Sequence, residues 1–205
     1  MCVDVIKETI EIFGKPELFH LGLEEEVMDY QRCYPVWTVR SPEKLAHDAN
    51  MLFEACKGEG VRPWMWVDPK SINGYGGPED FKRNIPKDVL ISNWWYGWII
   101  DRFPSVHLYQ EIAEWGYEQI PTCSTYENYK NELHTMTYCK EFIENKGLNG
   151  YMTASWLPTM PDYIYGLKHD AYLFGQAKKA MYPNGKLLRK AAKRHIIPSS
   201  VRKKE

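Results

Sequence analysis

Apolar residues at positions 3, 5, 6, 10, 12 and 13, with charges at 4, 7, 8 and 11, predict an amphipathic helix from Val3 to Phe13. Gly14 and Pro16 end it. Phe19 to Leu23 is a short apolar run that predicts a strand, and Glu24 to Trp37 is too irregular to assign, is broken by Pro35 and is long enough for a functional loop. Ser41 followed by Pro42 is a helix start, with Ser as cap and Pro at the first helical position. That helix is expected to run through Leu45, Met51, Leu52 and Ala55 to Gly58 or Gly60. Val61 to Val67 is the next strand, followed by a glycine-rich loop with Gly74, Gly76 and Gly77. Val89 to Asn93, Gln119 to Ser124 and Gly150 to Ser155 predict three more strands. Helices are expected at Val106 to Tyr117, Tyr126 to Asn145 and Tyr163 to Met181.

Strand centres fall at about 21, 64, 90, 121 and 152, a spacing of roughly 30 residues, as βα units require. The strands are largely apolar rather than alternating, as expected where both faces are covered. The fold class is therefore α/β, with parallel strands and helices packed outside them. An open doubly wound sheet usually carries a Gly-rich phosphate loop after its first strand. Here that place holds Glu24, Glu25 and Glu26, which would repel phosphate. Acidic and aromatic strand ends favour part of a TIM barrel with about five strands over residues 1–185, and a basic tail over 186–205.

Composition narrows the classes. With 44% hydrophobic and 26% charged residues the chain is ordinary globular material. No apolar run approaches a membrane span, so no membrane partner is expected. A net charge of -1 gives no global pull toward nucleic acid, and the basic cluster from Lys178 to Lys204 reads as a solvated tail. The 5 cysteines lack CxxC spacing, so neither a disulfide framework nor a metal site is expected. Reduced thiols fit a cytoplasmic location, and no cofactor motif is present. The 8 Trp and 14 Tyr are the unusual feature, since aromatics at strand ends make walls for half-apolar ligands such as sugar rings.

The chemically loaded residues fall at predicted strand ends: Glu24 and Glu25, Trp66 and Asp68, Asn93 with Trp94 and Trp95, Ser124 and Tyr126, and Trp156. In a barrel these ends share the face that carries the active site. Paired carboxylates beside aromatic rings suit glycosidic cleavage, because burial against the rings raises one carboxyl pKa and keeps it a proton donor. Three adjacent carboxylates also suit a helix N-terminus, but the preceding Phe-His-x-Gly run favours the site. His20 is expected as a hydrogen-bonded core histidine. Trp64 is expected to pack away from Trp66. Asp68 could cap the turn before Pro69, and only one of Trp94 and Trp95 can face the pocket.

The run Phe19-His20-Leu21-Gly22-Leu23-Glu24-Glu25 resembles the His-x-Gly-Gly-Asp-Glu signature of glycoside hydrolase family 20, the β-N-acetylhexosaminidases, and more closely bacterial family-20-like barrels. Pro63-Trp64-Met65-Trp66-Val67-Asp68, then Asp88-Val89-Leu90-Ile91-Ser92-Asn93-Trp94, then Ala154-Ser155-Trp156 follow in matching order. The resemblance covers about residues 1 to 175 and implies strands four to eight of that barrel. It implies substrate-assisted hydrolysis of β-linked N-acetylhexosamines, in which the sugar's acetamido group attacks the anomeric carbon. Glu25 falls on the general acid/base and Glu24 on the residue that orients the acetamido group. Trp66, Trp94 or Trp95, and Trp156 fall on the sugar walls, with His20 and Asp68 beside them. Tyr126 falls on the tyrosine that bonds the acetamido oxygen. Leu23 stands where the family has its second glycine, and Glu24 where it has aspartate. A non-catalytic carbohydrate-binding barrel and a truncated, inactive fragment are the alternatives. A half barrel leaves unpaired edges, so self-association or pairing with an N-terminal barrel half is expected.

Overall fold

Every strand pairing among the described residues is parallel. The computed structural model describes residues 1–23 and 40–184. Strands β1 (Leu18–His20), β2 (Arg62–Val67) and β3 (Leu90–Asn93) form one parallel sheet in that order. Leu18 lies opposite Arg62 and His20 opposite Trp64, while Trp66 pairs with Ser92. β4 (Thr122–Cys123) and β5 (Met152–Thr153) form a second parallel pair. Isolated parallel bridges, Ile91 to Gln119 and Trp94 to Thr122, carry the order from β3 toward β4. The described strands do not close into a barrel. The loop from Glu24 to Trp37 and the tail from 186 onward lie outside the described residues.

Helix starts follow local chemistry. Helix α1 spans Cys2–Ile12 and buries Ile6 and Ile10. Helix α2 spans Pro42–Gly58, with Ser41 Oγ accepting the Lys44 N–H at 3.3 Å. The stretch expected as a glycine-rich loop instead forms two short helices, α3 (Pro69–Gly74) and α4 (Pro78–Asn84). Proline stands at the start of each, where its missing N–H has no partner to lose. Asp68 and Ser71 cap α3 reciprocally: Ser71 N–H donates to Asp68 Oδ1 at 2.6 Å, and Asp68 N–H to Ser71 Oγ at 2.7 Å. Helices α5 (Pro104–Glu114), α6 (Asn131–Ile143) and α7 (Ile164–Met181) complete the set. Helix α6 starts at Asn131 rather than at Tyr126. In between, Ser124 Oγ accepts the Tyr126 N–H and Asn128 Oδ1 accepts the Lys130 N–H, each at 3.0 Å, so side chains take the backbone donors a helix needs. Among the described residues no helix is long and apolar enough to cross a membrane.

Strand β2 separates two environments. Its alternate residues Met65 and Val67 are fully buried against Phe53, Leu45 and Ala49 of α2, Phe81 of α4 and Ile112 of α5. Removing a side chain of this kind from water stabilises the fold by about 1.5–3 kcal/mol. The other set, Arg62, Trp64 and Trp66, is half-buried on the opposite face. Residues two apart on a strand share a face, so Trp64 and Trp66 lie on the same side, against the expectation that they point apart. A second cluster gathers Val106 and Tyr109 of α5 with Tyr138, Cys139 and Ile143 of α6.

Candidate functional site

The face of β2 turned away from the helices is built around His20. Strand register sets His20 beside Trp64, and their rings meet edge to face with centroids 4.7 Å apart. Trp66 approaches the same imidazole at 4.5 Å. Trp64 Nε1–H donates to Ser92 Oγ at 2.7 Å, and Ser92 Oγ–H donates to the Ile120 carbonyl at 2.6 Å. The indole is thereby locked across β2 and β3 toward β4. His20 Nδ1 accepts the Gly22 N–H at 3.1 Å, which leaves the ring proton on Nε2. That Nε2 is buried and has no hydrogen-bond partner among the described residues. Burial lowers the imidazole pKa to about 4, so the ring is neutral at pH 7. The chain then turns through Gly22 and Leu23, both at positive φ. Leu23, at φ 68°, occupies a conformation that favours glycine.

A second aromatic group stands beyond the ends of β3 and β5. Trp94 stacks on Tyr96 with centroids 5.1 Å apart, and Tyr96 lies 6.1 Å from Trp156. Trp156 has φ 56°, which is rare for a bulky residue, and its side chain is 53% exposed. Trp95 goes the other way. It packs on Phe103 at the cluster between α5 and α6, and its Nε1–H donates to the Trp98 carbonyl at 2.9 Å. Of the two adjacent tryptophans, Trp94 therefore belongs with the aromatic group and Trp95 with the core. Asp68 is the cap of α3, and Tyr126 is largely exposed. Glu24 and Glu25 lie outside the described residues.

Sequence reasoning missed two acids. Glu132 on α6 is 1% exposed and Asp170 on α7 is 7% exposed. Thr153 Oγ1–H donates to Glu132 Oε1 at 2.6 Å, and Thr125 Oγ1–H donates to Asp170 Oδ1 at 2.7 Å. Glu132 Oε2 and Asp170 Oδ2 are buried without partners among the described residues. Burial, with Asp170 adding to it, pushes the Glu132 carboxyl up to about 7. Glu132, Thr135, Met136, Cys139 and Ile143 make one buried stripe, so an acid on an apolar helical face was the available signal. Asn131 was missed as well. Its Oδ1 accepts the Ser124 N–H at 3.1 Å, and its Nδ2 donates to the carbonyls of Trp95 at 2.8 Å and Gly97 at 2.9 Å. One side chain thus ties the β3 and β4 ends together.

Among the described residues no group of three or more His, Cys, Asp or Glu could hold a metal ion. Chemically, the described part of the site offers aromatic faces, one buried N–H and hydroxyls. No protein-family model matches the chain, and no curated protein matches it.

Proposed function

We propose that the chain is the C-terminal part of a TIM barrel of glycoside hydrolase family 20 type, and that it acts on β-linked N-acetylhexosamines. The observation that carries this reading is the His20, Trp64 and Trp66 arrangement on the half-buried face of β2. Indole faces in a row give the apolar faces of a pyranose a surface to stack on. His20 packs against both indoles and holds them in place for that surface. Trp94, Tyr96 and Trp156 extend the same kind of surface past the strand ends. The parallel order and the bridges from β3 to β4 suit consecutive barrel units. Glu25 is the proton donor in this reading, and Glu24 orients the acetamido group that attacks the anomeric carbon.

The test is release of a chromophore from a β-linked N-acetylglucosaminide by the full-length protein. Glu25→Gln lowers turnover by about 100-fold or more, the scale of a lost general acid. Normal turnover in an active Glu25→Gln protein overturns the assignment. A second reading is a carbohydrate-binding barrel without catalysis. The exposed Trp156, held at positive φ, favours it, because a binding platform needs no acid. Sugar binding without any hydrolysis by the complete protein selects that reading.

A further inference from the structure

We infer that two copies of this chain join head to tail, helix α1 of one copy against helix α7 of the other, with a twofold axis making the contact twice. The uncovered parts of the βα series are its two ends. Among the described residues β1 pairs only with β2, and β5 only with β4. An open strand edge is a template for a further strand. The helices show the same division. In the middle of the series Phe53 of α2 and Ile112 of α5 are fully buried. Helices α1 and α7 stand at the flanks, α1 packed on α2 and α7 on α6.

Each flanking helix carries a second stripe besides the one it buries. On α1, Ile6 and Ile10 pack with Ala55 and Cys56 of α2. Val5 and Ile12, seven residues and so two turns apart, lie on a separate exposed line with Glu8 between them, and Ile12 is 72% exposed. On α7, Asp170 and Ala177 are buried. Tyr165 and Tyr172 are again two turns apart, on an exposed line that includes Lys168 and Lys179, and Tyr165 is 82% exposed. Single exposed apolar residues need no explanation, but aligned patches rimmed by charge mark a protein contact.

Charge selects the partner. The α1 stripe is acidic, with Glu8 on it and Asp4 and Glu11 beside it, whereas the α7 stripe is basic. Packing α1 on α1 sets carboxylate against carboxylate, and packing α7 on α7 sets ammonium against ammonium. Packing α1 on α7 sets opposite charges around two apolar stripes. The surface that fits each end of the series is therefore the other end of a second copy. A contact between unlike surfaces leaves no free end once rotation closes it. A twofold axis along the strands closes it with two copies, and it keeps every strand parallel as β1 of one copy comes beside β5 of the other. The interface does not rest on the saccharide reading.

Sedimentation equilibrium of the 205-residue chain at about 1 to 100 µM tests the inference. The mass of two chains is expected, and the mass of one chain throughout that range overturns it. Ile12→Lys sets a cation against the basic stripe, and Tyr172→Glu sets an anion against the acidic one. Each is expected to raise the dimer dissociation constant by about 10-fold or more. Both positions are exposed, so both variants are expected to keep a cooperative melt. An equimolar mixture of the two is expected to recover the two-chain species. One of its contacts joins two intact helices, and the other joins the two altered helices through opposite charges. Dimers that persist in both variants, or a mixture no heavier than its components, overturn the head-to-tail contact. No sample contains sugar, so failure here leaves the hydrolase assignment standing.

Discussion

The two sheets sit on opposite kinds of support. Behind β2 and β3 the packing is apolar: Met65, Val67 and Ile91 meet Phe53, Ile72 and Ile112, all within a few per cent of full burial. Behind β4 and β5 the same layer holds Asn131, Glu132, Thr135 and Asp170 alongside Cys123 and Met136. The first arrangement depends on area removed from water, which is tolerant of small shifts. The second depends on hydrogen bonds that must all be made, because a buried polar group without a partner is costly. The strands match this division. β2 has 6 residues, whereas β4 and β5 have 2 each, with side-chain bonds from Asn131 and Thr153 reinforcing their ends. The open faces differ too. The first sheet offers a neutral imidazole between indoles, while the second leads to exposed Trp156.

Removal of one side chain from each support breaks the comparison most strongly. Phe53→Ala is expected to cost about 3–5 kcal/mol through cavity formation, read from chemical denaturation. Asn131→Ala is expected to cost about 2–3 kcal/mol, because it removes the side-chain partner of the Ser124 N–H and the Trp95 carbonyl and one of the two donors to the Gly97 carbonyl. Hydrogen exchange sharpens the distinction. In Asn131→Ala, lost protection concentrates at Ser124, whereas in Phe53→Ala it spreads over β2 and β3. Equal and global loss of protection in both variants contradicts a divided support.

A smaller effect concerns the sign of the pH response. His20 has its folded-state pKa lowered to about 4 from 6.5, so the folded chain binds fewer protons than the unfolded chain between those values. Its contribution is complete above pH 6.5 and is lost as pH falls through about 4. This is opposite to Glu132, whose contribution is lost as pH rises. His20→Phe is therefore expected to reduce the drop in melting temperature between about pH 6.5 and about pH 4, even though Gly22 loses its acceptor. An unchanged acid slope contradicts a buried neutral His20.

The order of strands and helices was legible because period and turn residues report on local structure. Ser41-Pro42 marked α2, and the apolar runs at β2 and β3 marked a sheet covered by helices. Asp68-Pro69 and Gly77-Pro78 carry equally good helix starts, but the glycines around them favour a loop by composition alone. Trp64 was misassigned although its spacing from Trp66 already placed both on one face. The start of α6 was hidden because Ser124 and Asn128 bond neighbouring backbone, a competition that periodicity does not register. The acid pair was hidden for a different reason. Glu132 carries a signal in its place on the buried stripe of α6, whereas Asp170 looks like an ordinary polar position on α7, and both are buried in the structure. Trp95 and Trp94 were separable in principle, and the structure assigns Trp95 to the core.

The tryptophans provide the most direct test of the proposal that the half-buried face of the first sheet is a saccharide site. Indole N–H signals are followed by nuclear magnetic resonance while a β-linked N-acetylglucosamine oligosaccharide is added. Trp64, Trp66, Trp94 and Trp156 are expected to shift together with one saturation curve, while Trp95, Trp98 and Trp115 stay in place. Shifts confined to Trp98 or Trp115, or no shift at any indole, contradict the account.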